Sequence, residues 1–209
     1  MKISNDSGWK EASKKAFEQQ FLLNLRELND PPNHWKFFLE ELNRMKKENT
    51  RVIDVGCGVG SFAKLIRMWH GEVEYVGYDY SSAAITTAKE MWGDIGTFEE
   101  KDYEDLSAHD IKENDIIVAN ALCDVLPDGD HCMKHLLSLG AKNVIFLRVR
   151  ITEKQSYFEE YEAYGEIKTY AFYHNRKNLN TYINEGYEEM RWCEYSNGII
   201  NISADKDPR

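Results

Sequence analysis

The run Arg51-Val52-Ile53-Asp54-Val55-Gly56-Cys57-Gly58-Val59-Gly60-Ser61-Phe62 sets apolar, β-favouring residues around an acid and then a glycine at every second position. A helical pattern of Phe62, Ala63, Leu65, Ile66, Met68 and Trp69 follows at once, so the run reads as strand, tight turn and helix. Glycine suits such a turn because a side chain would keep the main chain from closing on a ligand, and because positive φ is expected there. The N–H groups at the start of the helix then face a crevice that takes a polar or anionic group.

The spacing narrows the ligand. A dinucleotide fingerprint needs G-x-G-x-x-G/A, yet the position that follows Gly56 and Gly58 in that pattern is Ser61. No Lys-Ser/Thr pair follows the glycines, which excludes a phosphate-gripping loop. An acid two residues before the first glycine suits a ligand with a positive end. The run D-x-G-x-G-x-G from Asp54 resembles motif I of the class I S-adenosylmethionine-dependent methyltransferases. That resemblance implies a sulfonium cofactor lying over Gly56, Cys57, Gly58 and Gly60, with S-adenosylhomocysteine as the product.

Moving outward, residues 72–79 read as a second strand that ends in Asp79, and a helix with a hydroxyl cap opens at Ser81. A carboxylate at that strand end can accept hydrogen bonds from both ribose hydroxyls. Asp79 resembles the ribose acid of the family, and Tyr80 beside it would lie against the adenine. After a short third strand, Asp102 and Tyr103 match the family's acid-aromatic pair that meets the adenine amino group; an acidic solvated loop is the alternative. Residues 114–119 form a fourth strand, an apolar run fit for a sheet covered on both faces. It ends at Asn120, which should face the methyl group. The Asn/Asp-Pro-Pro-aromatic motif of base methylation is absent, replaced by Asn120-Ala121-Leu122-Cys123.

The fifth strand, residues 142–151, carries Arg148 and Arg150, which share one face because alternate residues point to opposite faces. One of them near the pocket would favour a carboxylate or phosphate on the acceptor; otherwise both pair with acids of the chain. Residues 152–175 read as irregular and aromatic, at a place where related enzymes insert substrate-covering segments. Tyr157 and Tyr161 are candidates to stack on an acceptor there, unless the segment is a packed edge hairpin. A short helix over 176–184 and a hairpin turning at Ser196-Asn197-Gly198 close the chain.

Upstream, residues 8–28 and 34–47 carry apolar positions at three- and four-residue steps and read as amphipathic helices separated by Asp30-Pro31-Pro32-Asn33. The expected architecture is α/β: a doubly wound, mostly parallel seven-stranded sheet with a C-terminal antiparallel hairpin and an N-terminal helical cap. The cap covers residues 1–49 and the methyltransferase domain 50–203, with 151–175 as a substrate-covering insertion and 204–209 as a tail.

The 209 residues, with 36 acids against 26 lysines and arginines, carry a net charge of -10, which argues against a nucleic-acid groove. With no signal-like or membrane-spanning run and four scattered cysteines, a cytoplasmic protein is expected. His131 and His135 share a helix at i, i+4 spacing, but without an H-E-x-x-H pattern no metal is expected. The implied reaction is methyl transfer to an oxygen or nitrogen atom of a small-molecule acceptor, with His131 or His174 as general base where one is needed. A catalytically silent S-adenosylmethionine-binding module and a nicotinamide-dependent oxidoreductase are the competing readings.

Overall fold

The structure is a computed structural model that describes residues 6–71, 73–196 and 198–206. Glu72, Asn197 of the expected Asn-Gly turn, and residues 1–5 and 207–209 lie outside the described residues. The chain runs α1 (Lys14–Asn29), α2 (Asn33–Met45), β1 (Arg51–Val55), α3 (Ser61–His70), β2 (Glu74–Asp79), α4 (Ser82–Trp92) and β3 (Thr97–Glu100). It continues with β4 (Ile116–Asn120), α5 (Gly129–Ser138), β5 (Asn143–Thr152), β6 (Tyr157–Ala163), β7 (Ile167–Asn175), α6 (Arg176–Asn184), β8 (Glu189–Ser196) and β9 (Ile199–Asp205). No helix among the described residues is long and apolar enough to cross a membrane.

Alternation along the central strands builds two cores. Ile53, Val55, Ile117, Val144 and Phe146 pack with Met133 and Leu136 of α5 and with Leu179 and Ile183 of α6. Val52, Ile116, Val118, Ile145 and Leu147 pack on the other face with α2 and α3, through Trp35, Phe38, Leu42, Phe62 and Leu65. Successive side chains point to opposite faces, so strands apolar at every position are covered on both.

β1 pairs in parallel with β2 on one side and β4 on the other, and the sheet runs β3-β2-β1-β4-β5. β9 joins β5 antiparallel and β8 joins β9, which completes the expected seven strands and the terminal hairpin. The segment expected to be irregular is instead a regular antiparallel hairpin, β6–β7, whose end pairs in parallel with Arg150–Thr152 of β5 and raises the sheet to nine strands. All of β6 except Ala163 is exposed, so no one-sided burial marks it as a strand in the sequence.

The first helix starts later than its apolar pattern suggests. Ser13 accepts a hydrogen bond from the Ala16 N–H and caps α1, leaving residues 7–12 as a separate crossing segment. α2 packs in the layer beside α3, while α1 lies across the carboxyl ends of the strands. β1 sits where the chain's progression across the sheet reverses, and the crevice outside its carboxyl end is where doubly wound sheets bind ligands.

Candidate active site

A cavity of about 310 Å³ opens at that reversal. Gly56, Cys57 and Gly58 form one wall, and the turn stays narrow because both glycines hold positive φ, 72° and 54°. The carboxylate of Asp79 braces it: Oδ2 accepts the Gly58 N–H at 2.9 Å and Oδ1 accepts the Ser81 N–H at 2.9 Å. Burial raises the Asp79 pKa to about 6. Asp102 accepts the Glu104 N–H at the start of the helical turn Tyr103–Asp105, and burial raises its pKa too. Asp102, Tyr103, Tyr80 and Asn120 all line the cavity.

Two other expected cofactor residues do not. Asp54 is buried inside β1, where Oδ2 accepts the Tyr75 hydroxyl at 2.6 Å, and burial lifts its pKa to about 7. Gly60 stands just ahead of α3 as its N-cap with φ 71°, and a Cβ built on it would come 2.3 Å from the Phe98 ring. Its glycine answers to packing against β3 rather than to a ligand.

Both histidine bases are misplaced. His174 is fully buried, with Nδ1 2.7 Å from Asp130, whose other oxygen accepts the Ser156 hydroxyl at 2.8 Å. His131 points outward on α5 to Glu104 at 3.3 Å, while His135 turns to the Leu106 carbonyl. Neither His131 nor His174 lines the cavity, and no group of three metal-ligating side chains occurs among the described residues. Tyr157 stacks on Tyr173 at 4.7 Å away from the cavity, whereas Tyr161 lines it.

The two arginines separate. Arg150 pairs with the buried Asp124. Arg148 falls in a β-bulge with φ 62°, its N–H held by Asn201 Oδ1 at 3.1 Å, and its side chain lines the cavity. The face alternation of an unbroken strand therefore does not carry across it.

Helices α1 and α2 supply residues that local sequence patterns do not flag: Gln20, Asn24, Glu27, His34 and Trp35. Glu27 is half-buried, and burial raises its pKa despite the opposing charge of Arg148. Burial, with Arg148 nearby, pulls His34 down to about 3, so its imidazole stays neutral near pH 7. The crossing segment brings Trp9 onto the cavity wall. Ser7 Oγ lies 2.9 Å from the Tyr80 hydroxyl, the Gly8 N–H donates to the Lys168 carbonyl at 2.8 Å, and Trp9 meets Tyr164 edge-on at 5.7 Å.

The donor and acceptor balance of the wall fits a ligand that brings its own donors. Gln20 Oε1 and Asn120 Oδ1 are buried acceptors with no hydrogen-bond partner, and they stand with the Asp79 and Asp102 carboxylates around the glycine turn. A cationic adenosyl amino acid meets that set, whereas a pyrophosphate would meet carboxylates there.

The sheet order and the cavity at its reversal define the class I methyltransferase fold. A family model described as a methyltransferase domain matches residues 46–197, and the chain belongs to that family. Similar solved structures include magnesium protoporphyrin IX methyltransferase from Synechocystis PCC 6803 with bound SAM, at 15% identity over 93% of this chain and 95% of that one, TM-score 0.60. DesVI from Streptomyces venezuelae matches at 11% identity over 94% and 99%, TM-score 0.65. Human N-acetylserotonin methyltransferase in complex with SAM matches at 15% over 93% and 56%, TM-score 0.62. At these identities the likeness is one of fold.

Proposed function

We propose that this chain transfers a methyl group from S-adenosylmethionine to an oxygen or nitrogen atom of a small molecule. The observation that carries the reading is one cavity with two unlike ends. Acceptors and carboxylates surround the glycine turn at one end, and Glu27, Arg148, Tyr161 and Tyr164 gather at the other. Asp79 would hold the ribose hydroxyls, Asp102 the adenine amino group, and Gln20 with Asn120 the cationic amino-acid end. S-Adenosylmethionine, when bound, supplies an already activated methyl group. The chain's work is then to fix the acceptor in line and exclude water. For a hydroxyl acceptor, Glu27 is the carboxylate on the cavity wall suited to take the proton, since its raised pKa brings it nearer neutrality. The four free thiols suit a cytoplasmic setting.

A thermal-shift comparison tests the cofactor. S-Adenosylhomocysteine should raise the melting temperature and NAD should not, because a ligand that binds only the folded state stabilises it. The reverse pattern would favour the oxidoreductase reading. Tight binding without methyl transfer to any of a broad acceptor panel would favour a silent binding module.

A further inference from the structure

Every partly or fully buried arginine among the described residues except one is neutralised by a carboxylate. Arg44 pairs with Glu41, Arg51 with Asp115, Arg150 with Asp124, and Arg176 with Glu153. Arg148 has no such partner among the described residues, in a chain with ten more acids than bases. Glu27 faces the same cavity and feels the Arg148 charge, yet no ion pair joins them. The backbone at Arg148 is also unusual. A non-glycine residue at φ 62° is costly and persists only where its surroundings fix it, here through the bulge and the hydrogen bond to Asn201. The bulge aims a planar, permanently charged fork of donors into a space flanked by Tyr161 and Tyr164.

Resting on the methyl-transfer reading of this cavity, we propose that Arg148 anchors an oxyanion, a carboxylate or phosphate, carried by the methyl acceptor. A half-buried guanidinium that makes no ion pair among the described residues, with Glu27 and Asp124 acting on it only from a distance, is complementary to such a group and binds it in a bidentate way that a neutral amide or an amine does not match. The tyrosine rings beside it complete the site with apolar faces for the body of the acceptor. His34, which burial holds neutral at working pH, adds no positive charge beside Arg148.

The full chain saturated with S-adenosylhomocysteine is titrated, by ligand-observed NMR, with four probes of similar size: benzoate, phenyl phosphate, benzamide and benzylamine. One or both anions should bind about tenfold or more tightly than the amide and the amine, and the tighter anion identifies the carboxylate or phosphate class. Arg148→Met should weaken that anion about tenfold or more while leaving S-adenosylhomocysteine affinity within about twofold, and Arg148→Lys should retain part of the binding. Should Arg148→Met not fold, Arg148→Lys carries the test: it keeps the charge but loses the planar fork and should weaken the tighter anion severalfold, and unchanged anion binding in it overturns the proposal. Equal binding of all four probes, or anion binding unchanged in Arg148→Met, overturns the proposal. Wild-type chain that takes S-adenosylhomocysteine but neither anion removes this proposal only; failure to take S-adenosylhomocysteine removes the reading beneath it.

Discussion

The Asp79 carboxylate and the Gly58 N–H, 2.9 Å apart, join the end of β2 to the glycine turn that follows β1. One side chain thus shapes the turn and faces the ligand space. Removing it in Asp79→Ala should weaken S-adenosylhomocysteine binding by more than about tenfold, or about 1.4 kcal/mol. Asp79→Asn, which keeps an acceptor oxygen but loses the charge, should fall between. Calorimetric titration reads both, and an unchanged affinity in Asp79→Ala would contradict the placement of the ribose.

Gly58 and Gly60 should fail in different ways. A Cβ on Gly58 would meet only the end of the Gln20 side chain, at 2.8 Å, whereas one on Gly60 would drive into the Phe98 ring at 2.3 Å. Gly58→Leu is therefore expected to abolish the S-adenosylhomocysteine thermal shift by filling the cavity wall, at a stability cost of about 1–2 kcal/mol from its positive φ. Gly60→Ala, strained in φ and overpacked, should cost about 2–4 kcal/mol in urea unfolding. Retention of the thermal shift by Gly58→Leu would show that Gly58 does not face the ligand.

Asp54 gives the fold a pH dependence with a definite sign. Burial holds its folded pKa at about 7, above the usual carboxylate value, so folding favours the protonated acid. The stability it contributes is fully present below about pH 4 and is lost as pH rises through about 7. Asp54→Asn keeps an acceptor for the Tyr75 hydroxyl and cannot ionise. It should stabilise the chain by about 1–3 kcal/mol at pH 8 and change it little or unfavourably at pH 5, since each unit of pKa shift is worth about 1.4 kcal/mol. Parallel urea curves for wild type and variant across this range would refute the buried titration.

Much of the cofactor end was legible because its residues are close to consecutive: a strand apolar on both faces, alternate glycines, and an acid at the end of the next strand. Gly60 and Asp54 share that motif but look inward, and spacing alone does not tell a glycine that admits a ligand from one that admits a phenylalanine ring. The acceptor end was largely hidden. Gln20, Glu27 and His34 come from helices whose polar residues look like any solvated face until α1 is laid across the strand ends. Arg148 and Arg150 parted company because a bulge, invisible in the alternation, intervenes. His174 looked like a base because its residue type titrates near neutral pH, whereas its depth beneath the hairpin and its bond to Asp130 are tertiary facts.

His174 should accordingly behave as a structural pin. It ties β7 to Asp130 on α5, and Asp130 also holds Ser156 ahead of β6. His174→Ala would empty a fully buried site and leave the partly buried Asp130 carboxylate short of a partner, and should destabilise the fold by about 2–4 kcal/mol. At a temperature where the variant remains folded, its S-adenosylhomocysteine affinity should match wild type. A large affinity loss without a stability loss would return His174 to the site.

The crossing segment beside the cavity sets the last expectation, which concerns rates. Ser7 reaches Tyr80 on one side, and Gly8 and Trp9 reach Lys168 and Tyr164 on the other, so residues 7–13 bridge the end of β2 and the β6–β7 hairpin. These are a few contacts on a segment without regular structure, of the kind that opens locally at low cost compared with global unfolding. Ligand exchange past that segment requires them to break. Ser7→Ala combined with Trp9→Phe, which together lose the hydroxyl pair and trim the ring while leaving an aromatic on Phe17, should speed S-adenosylhomocysteine release severalfold at a cost of about 1–2 kcal/mol in the stability of the ligand-free chain. Stopped-flow fluorescence reports the release through Trp35, which lines the cavity and is untouched by the substitutions. An unchanged release rate would mean that the ligand leaves by another opening and that the segment is a fixed wall.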